Sequence, residues 1–236
     1  MNFHVISLFP ESLTSYLEAS ILARAIADEK ISITTYPLRQ YVTGRYRKVW
    51  PDGNVSAIAD DRPVGGGPGM VLRAEPILKA VEVIKKSIAS YELKITKKNP
   101  KYKSKIKIVF FAPAGKQFDT AYAKNAAKKY TDIIFICGRY EGVDARVKKI
   151  LKAEEVSIGP YVVTGGELPA LVMMDSIARQ VPEVLGRYDS LEEERVSSSE
   201  IYTRPEVLEY DGKKYKVPAV LLSGDHKKIE EWKKSR

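Results

Sequence analysis

Short apolar runs alternate with amphipathic stretches along this chain. Residues 3–9 form a run of strand length, and residues 31–36, 106–111 and 132–137 repeat the pattern. Between the runs, apolar residues recur at helical spacing. Leu13, Leu17, Ile21, Leu22 and Ala25 do so within residues 11–27, and Ile77, Leu78, Val81, Ile84 and Ile88 within residues 74–88. Positions three and four apart share one helix face, so both stretches read as helices with one buried side. Residues 120–129, 143–151 and 167–180 add three more predicted helices. Residues 156–158 and 161–163 are short predicted strands around Gly159-Pro160, and residues 37–68 read as irregular, rich in Gly and Pro. Several strands are apolar on both faces. Such strands alternating with helices predict an α/β fold with a mainly parallel sheet covered on both faces. A polar stretch over residues 185–202, with three Glu and three Ser in a row, then reads as a linker. The last segment has a strand-like run at 217–222 and a helix after Ser223, and no internal repeat is present.

Composition narrows the possibilities. The 236 residues are 44% hydrophobic and 29% charged, enough apolar material for a real core. One cysteine, Cys137, excludes a disulfide framework and a paired-thiol zinc cluster. The two histidines, His4 and His226, leave little for a metal site, and no metal-ligand set is expected. No apolar run approaches the roughly 18–20 residues that span a bilayer. No basic residue precedes the first apolar run, which reads as a strand rather than a secretion signal, so the cytoplasm is the expected compartment and no membrane partner is expected. The net charge of +9 is concentrated in two places. Residues 85–107 hold nine Lys against one acidic residue, Glu92, and the chain beyond Asp211 is also lysine-rich. A polyanionic partner and a solvated, solubilising loop both account for this. Lysine is a point charge rather than a planar fork, so any contact there would follow a phosphate backbone and not read bases.

Four Gly-containing loops fall at predicted strand ends, where ligands of parallel sheets gather. They are residues 60–70 (DDRPVGGGPGM), 112–115 (APAG), 137–144 (CGRYEGVD) and 157–170 (SIGPYVVTGGELPA). None has the spacing of a phosphate loop or a dinucleotide fingerprint, so nucleoside triphosphates and nicotinamide cofactors lose weight. Each alone would be a turn; four together favour a composed pocket. Cys137 reads as a small buried residue, and neither histidine as catalytic.

In this order the loops resemble the TrmD family, tRNA (guanine-N1)-methyltransferases of the SPOUT class. The strings ISLFPE, DDRPVGGGPGM, CGRYEGVDARV, SIGPYVVTGGELPALVMMDSIAR, YTRPEVLEY and VPAVLLSGDHKKIEEWKK carry the resemblance from Ile6 to Lys234. It implies a sheet whose C-terminal part is threaded into a trefoil knot, which ordinary topology rules would not suggest. It also implies a homodimer with the active site at the subunit interface. Residues 1–186 would bind S-adenosylmethionine, 187–200 would link, and 201–236 would be a small, shortened, mostly helical tRNA-binding domain. Gly138, Ile158, Gly159, Pro160, Tyr161, Val162 and Val163 would hold the methyl donor, with Ala112, Pro113, Tyr140, Glu141, Gly165 and Pro169 close by. Asp60, Gly66, Gly67 and Arg139 would lie on the substrate side. The substrate would be guanosine 37 of tRNA, and the resemblance leaves Mg2+ dependence open. Arg179 matches the family's assisting arginine. Glu194 falls in the register of its general base, usually an Asp, with Glu193 the reserve.

The chain departs from the family pattern in other places. Pro160 stands where an Asp is usual, and Tyr46 where a His is usual. Residues 50–59 and 85–107 look like insertions, and the chain stops soon after Trp232, where family members usually continue. The lysine-rich insertion is expected to supply phosphate contacts. Two alternatives accompany this reading: a SPOUT methyltransferase for another RNA position, and a catalytically weak RNA-binding homologue.

Overall fold

In the computed structural model, which describes residues 1–185 and 200–235, the apolar runs pair into one parallel sheet. The first strand is β1 (Asn2–Ser7), followed by a 3-10 turn at Pro10–Leu13 and helices α1 (Thr14–Leu17) and α2 (Ser20–Ala27). Next come β2 (Ser32–Pro37) and two small hairpins, β3 (Arg47–Val49) with β4 (Val55–Ala57) and β5 (Asp60–Asp61) with β6 (Val71–Leu72). The chain continues through α3 (Ala74–Thr96), β7 (Ile106–Gln117), α4 (Thr120–Lys129), β8 (Asp132–Ile136), α5 (Ala145–Leu151), β9 (Glu154–Ser157) and α6 (Glu167–Ala178). The sheet order is β2-β1-β8-β7-β9, every pair parallel.

The two-residue period of the strands builds a core on each face. Phe3, Val5, Ile133 and Phe135 face α2, α4 and α6, burying Leu22, Ala123, Met173 and Ile177. Ile6, Ile108, Ile134 and Ile136 face α3 and α5, burying Ile77, Val81, Ile84 and Val147. These residues are almost fully withdrawn from water, each worth about 1.5–3 kcal/mol of transfer free energy for a large side chain. This unit spans Met1–Val184, and a second compact unit spans Leu185–Arg236. Over its described residues the second unit has a hairpin, β10 (Val207–Tyr210) with β11 (Lys213–Lys216), then α7 (Ala219–Leu222) and α8 (His226–Lys234). The Tyr202 and Trp232 rings lie 6.3 Å apart within it. No described helix is long and apolar enough to cross a membrane.

Several expectations change. The helix expected over residues 11–27 is broken, because Ala19 is extended and Ser20 takes φ +52°. Its periodicity persisted because Leu13, Leu22 and Ala25 still reach the same core cluster. Helix α3 runs two turns past Ile88, to Thr96; Tyr91 and Ile95 continue the helical spacing, but no residue of that stretch is buried. Residues 37–68 contain the β3–β4 hairpin and half of the β5–β6 pair. Residues 161–163 form no strand, and the run at 217–222 ends in helix α7. Over its described residues the second unit, expected to be mostly helical, contains a hairpin as well as its two helices. The linker at 187–199 lies outside the described residues.

Candidate functional site

Three loops converge at the carboxyl ends of β7, β8 and β9. The first is an excursion within β7: Phe111 and Lys116 both face Val156 of β9, so residues 112–115 bulge out of the ladder. Gly115 closes the bulge against β9, where a Cβ would sit 2.7 Å from the Glu155 carbonyl carbon. The second loop leaves β8 at Cys137 and is stitched to β6. The Glu141 N–H donates to the Met70 carbonyl at 3.0 Å, Leu72 N–H to the Gly142 carbonyl at 2.9 Å, and Asp144 N–H to the Leu72 carbonyl at 3.0 Å. Tyr140 takes φ +59° to make this path. The third loop follows β9. Ser157 Oγ donates to the Gly159 carbonyl at 2.9 Å, and the Tyr161 hydroxyl donates to the Ile158 carbonyl at 3.2 Å. The loop ends where the Gly166 N–H donates to the Gly138 carbonyl at 2.9 Å, seating the start of α6 on the end of β8.

The loops enclose a cavity of about 460 Å³. Ala112, Pro113, Gly138, Tyr140, Glu141, Ile158, Gly159, Tyr161, Val162, Val163, Gly165 and Pro169 line it, as does Arg139. Pro160 does not, although its neighbours do. Sequence reasoning missed the apolar wall: Phe110, Phe111, Val143 and Val156. For Phe110, Phe111 and Val156 the signal was their position immediately before a loop, where a strand's last inward side chains meet whatever the loops hold; Val143 lies within the second loop.

Behind the cavity wall sits a buried polar group. Ser7 Oγ donates to Glu167 Oε1 at 2.6 Å, and Arg139 Nε lies 2.9 Å from Glu167 Oε2. That approach is an ion pair without hydrogen-bond alignment. The Arg139 guanidinium also stacks 4.9 Å from the Phe9 ring centroid. Glu167 is 4% exposed and opens α6, where an anion is favoured by the helix dipole. Burial, with the Glu167 charge beside it, pushes the Cys137 thiol well above its ordinary range, so Cys137 is no nucleophile at neutral pH.

Other expected residues fall elsewhere. Asp60 lies in β5, and Gly66 and Gly67 take φ +85° and +115° in the loop after it, outside the cavity lining. Beside that loop a broader groove of about 930 Å³ is lined by Arg45, Tyr46, Asp61, Arg62 and Arg73 among others. There the Tyr46 hydroxyl donates to Asp61 Oδ2 at 3.1 Å while Arg73 stacks 3.3 Å from its ring centroid. Burial does not dominate at Asp61. The Arg62 N–H and the Tyr46 hydroxyl hold its carboxyl below the usual range. Arg179 caps the end of α6, ten residues beyond Pro169 of the cavity lining, about 15 Å along the helix from it. Glu193 and Glu194 lie outside the described residues.

The family model for tRNA (guanine-1)-methyltransferase TrmD matches residues 1–236. A tRNA (guanine-N(1)-)-methyltransferase of Clostridioides difficile (strain 630) is 40% identical over 238 aligned residues, which cover 99% of this chain and 91% of that protein. Proteins of the same name from Listeria monocytogenes serotype 4b (strain F2365) and Carboxydothermus hydrogenoformans (strain ATCC BAA-161 / DSM 6008 / Z-2901) are 37% and 38% identical. Those alignments cover 99% and 100% of this chain, and 85% and 82% of the two relatives.

Proposed function

Since the chain belongs to the TrmD family and is a tRNA methyltransferase acting at guanine N1, we propose that it methylates guanosine 37 of tRNA from S-adenosylmethionine bound in the three-loop cavity. The convergence of three Gly-containing loops on one cavity at the sheet's carboxyl end carries this reading. The cavity suits the donor. Its size falls in the range of about 300–1,000 Å³ usual for small-molecule sites. Phe110, Phe111, Val143, Val156 and Ile158 offer an apolar wall, the glycines allow close backbone approach, and the Glu141 carboxylate complements a positive charge. When bound, S-adenosylmethionine supplies a methyl group on positively charged sulfur, already activated for transfer.

The protein's own task is then to prepare the guanine and align it. Guanine N1 carries a proton, and its lone pair becomes nucleophilic as that proton leaves. Glu194 accepts it, a contribution of about 10²–10⁴-fold for a well-placed general base. Negative charge builds on guanine O6 as the proton departs, and Arg179 stabilises it. Asp60, Gly66, Gly67 and Arg139 form the substrate side. The distance of Arg179 from the cavity of its own chain supports a site shared between two subunits of a homodimer. In this reading residues 1–186 form the knotted donor-binding domain, and 201–236 engage tRNA across the 187–200 linker.

The test is methyl transfer to a tRNA transcript with guanine or another base at position 37. Activity confined to the guanine transcript supports the assignment. Methylation persisting on the substituted transcript moves the target to another RNA position, and RNA binding without turnover on either leaves a binding protein. The variant Glu194→Gln should lose about 10²–10⁴-fold in turnover while binding the donor as the wild type does. Full turnover would place the base elsewhere, with Glu193→Gln the next variant to assay.

A further inference from the structure

The lysine-rich segment is an ordered surface. Its first half continues α3 to Thr96, and the turn that follows folds back until the Ser104 N–H donates to Glu92 Oε2 at 3.0 Å. Glu92 is the only acidic residue between 85 and 107, so the segment's one carboxylate is engaged in fastening its own turn. The side chains of Lys94, Lys97, Lys98, Lys101, Lys103 and Lys105 are all exposed, and none has a carboxylate partner among the described residues. Lys86 and Lys107, at the two ends of the segment, do pair, with Glu82 and Glu154. A helix C-terminus favours nearby cations and accounts for Lys94 and Lys97. It does not account for Lys98, Lys101, Lys103 and Lys105, four more cations within the following turn.

The position of the cluster matters as much as its charge. The turn feeds directly into β7 at Ile106, so it lies at the amino end of the parallel sheet, whereas the cavity lies at the carboxyl end. From Ile106 to Phe111 the strand rises about 17 Å. A ligand that meets both this surface and the cavity must be an extended polyanion.

We infer that the end of α3 and the turn at 97–105 form a second RNA-anchoring surface, which holds the phosphate backbone of the substrate away from the methylated base. The inference rests on tRNA being the substrate. Lysines without stacking partners hold phosphates as point charges, so the anchor is indifferent to sequence and sensitive to salt. It adds affinity for the RNA and leaves chemistry at the cavity untouched.

The experiment compares the full chain with a variant carrying Lys94→Gln, Lys97→Gln, Lys98→Gln, Lys101→Gln and Lys103→Gln. A control carries Arg24→Gln, Lys48→Gln and Lys149→Gln, exposed cations outside the 94–105 segment, which lower the charge elsewhere. At about 0.1 M salt the anchor variant should raise KM for tRNA tenfold or more, and its slope of log affinity against log salt should flatten by about 2–3. Saturating kcat and donor affinity should match the wild type, and the control should move much less. An unchanged KM and slope, or equal shifts in both variants, overturns the inference. Acetylation of the same lysines in the wild-type enzyme, followed by mass spectrometry, provides a reading free of substitution. Saturating tRNA should protect them, and equal labelling with and without tRNA refutes the anchor. If the wild type does not methylate tRNA at all, the failure lies with the substrate assignment instead.

Discussion

Replacing Gly166 by alanine tests whether the seat of α6 on β8 builds the cavity. Gly166 has φ −78° and ψ −8°, a conformation alanine adopts freely, so backbone strain contributes nothing. The added Cβ would lie 2.6 Å from the Cys137 Cα and 2.9 Å from the Gly138 nitrogen. Carbon atoms rest at about 3.5–4.0 Å, so the start of α6 must retreat by about 1 Å. Both obstacles are backbone atoms of a buried strand end and cannot swing aside. The retreat breaks the Gly166–Gly138 hydrogen bond of 2.9 Å, worth about 1 kcal/mol. Overpacking of this kind costs about 1–3 kcal/mol more. Together these make about 2–4 kcal/mol, which for a unit of this size lowers the thermal midpoint by roughly 5–15 °C. Gly165 and Pro169 move with the helix start, and both line the cavity, so affinity for S-adenosylmethionine should fall as well. Differential scanning calorimetry reads the first effect and titration calorimetry the second. Gly66→Ala is the comparison, because its Cβ would meet open space and only the strain of φ +85° remains, about 1–2 kcal/mol. A Gly166→Ala protein melting within about 2 °C of wild type, with unchanged donor affinity, would show that the contact does not shape the site.

Two further outcomes follow from buried groups. Burial raises the pKa of Asp132, but hydrogen bonds from His4, Thr131 and Asn2 outweigh it, and the folded carboxyl titrates below its ordinary range. A depressed carboxyl stabilises the fold above its unfolded pKa of about 3.9, and that stability is lost as pH falls through the folded value. The urea midpoint should therefore drop below about pH 4 in the wild type, whereas Asp132→Asn should start lower at pH 7 and fall less steeply; parallel acid limbs would reject the linkage. The Cys137 thiol, buried and raised, should resist a thiol reagent at pH 8 until urea unfolds the first unit. Labelling of the native protein at the rate of a free thiol would contradict its burial.

The parallel sheet and its two faces were legible in the chain because burial on both sides writes itself as continuous apolar runs. Phe3, Val5 and Ile6, or Ile133 to Ile136, need no partner to be recognised as strand interior. Helix α4 also matched the range expected of it, 120–129, closed at its start by Asp119 accepting the Tyr122 N–H at 2.6 Å. Elements without a buried stripe were not legible. The last two turns of α3 bury no residue, and the hairpins between residues 47 and 72 have strands of only two or three residues, so no buried stripe marked them. The break at Ser20 left no trace, since the apolar spacing runs straight through it.

For the site, the residue types alone determined that glycine-bearing loops follow the strand ends, that no thiol or histidine set competes as chemistry, and that positive charge gathers in two segments. Such features depend on neighbours in sequence. Only the tertiary structure decided that the loops after β7, β8 and β9 face one another across a single cavity, with Phe110, Phe111, Val143 and Val156 as its wall. It alone placed Arg179 a helix length from that cavity and the lysines at the other end of the sheet. The reason is the parallel order β2-β1-β8-β7-β9. Strand pairing brings together chain segments tens of residues apart and sends loops and turns to opposite poles, and such long-range contacts leave no local pattern in sequence.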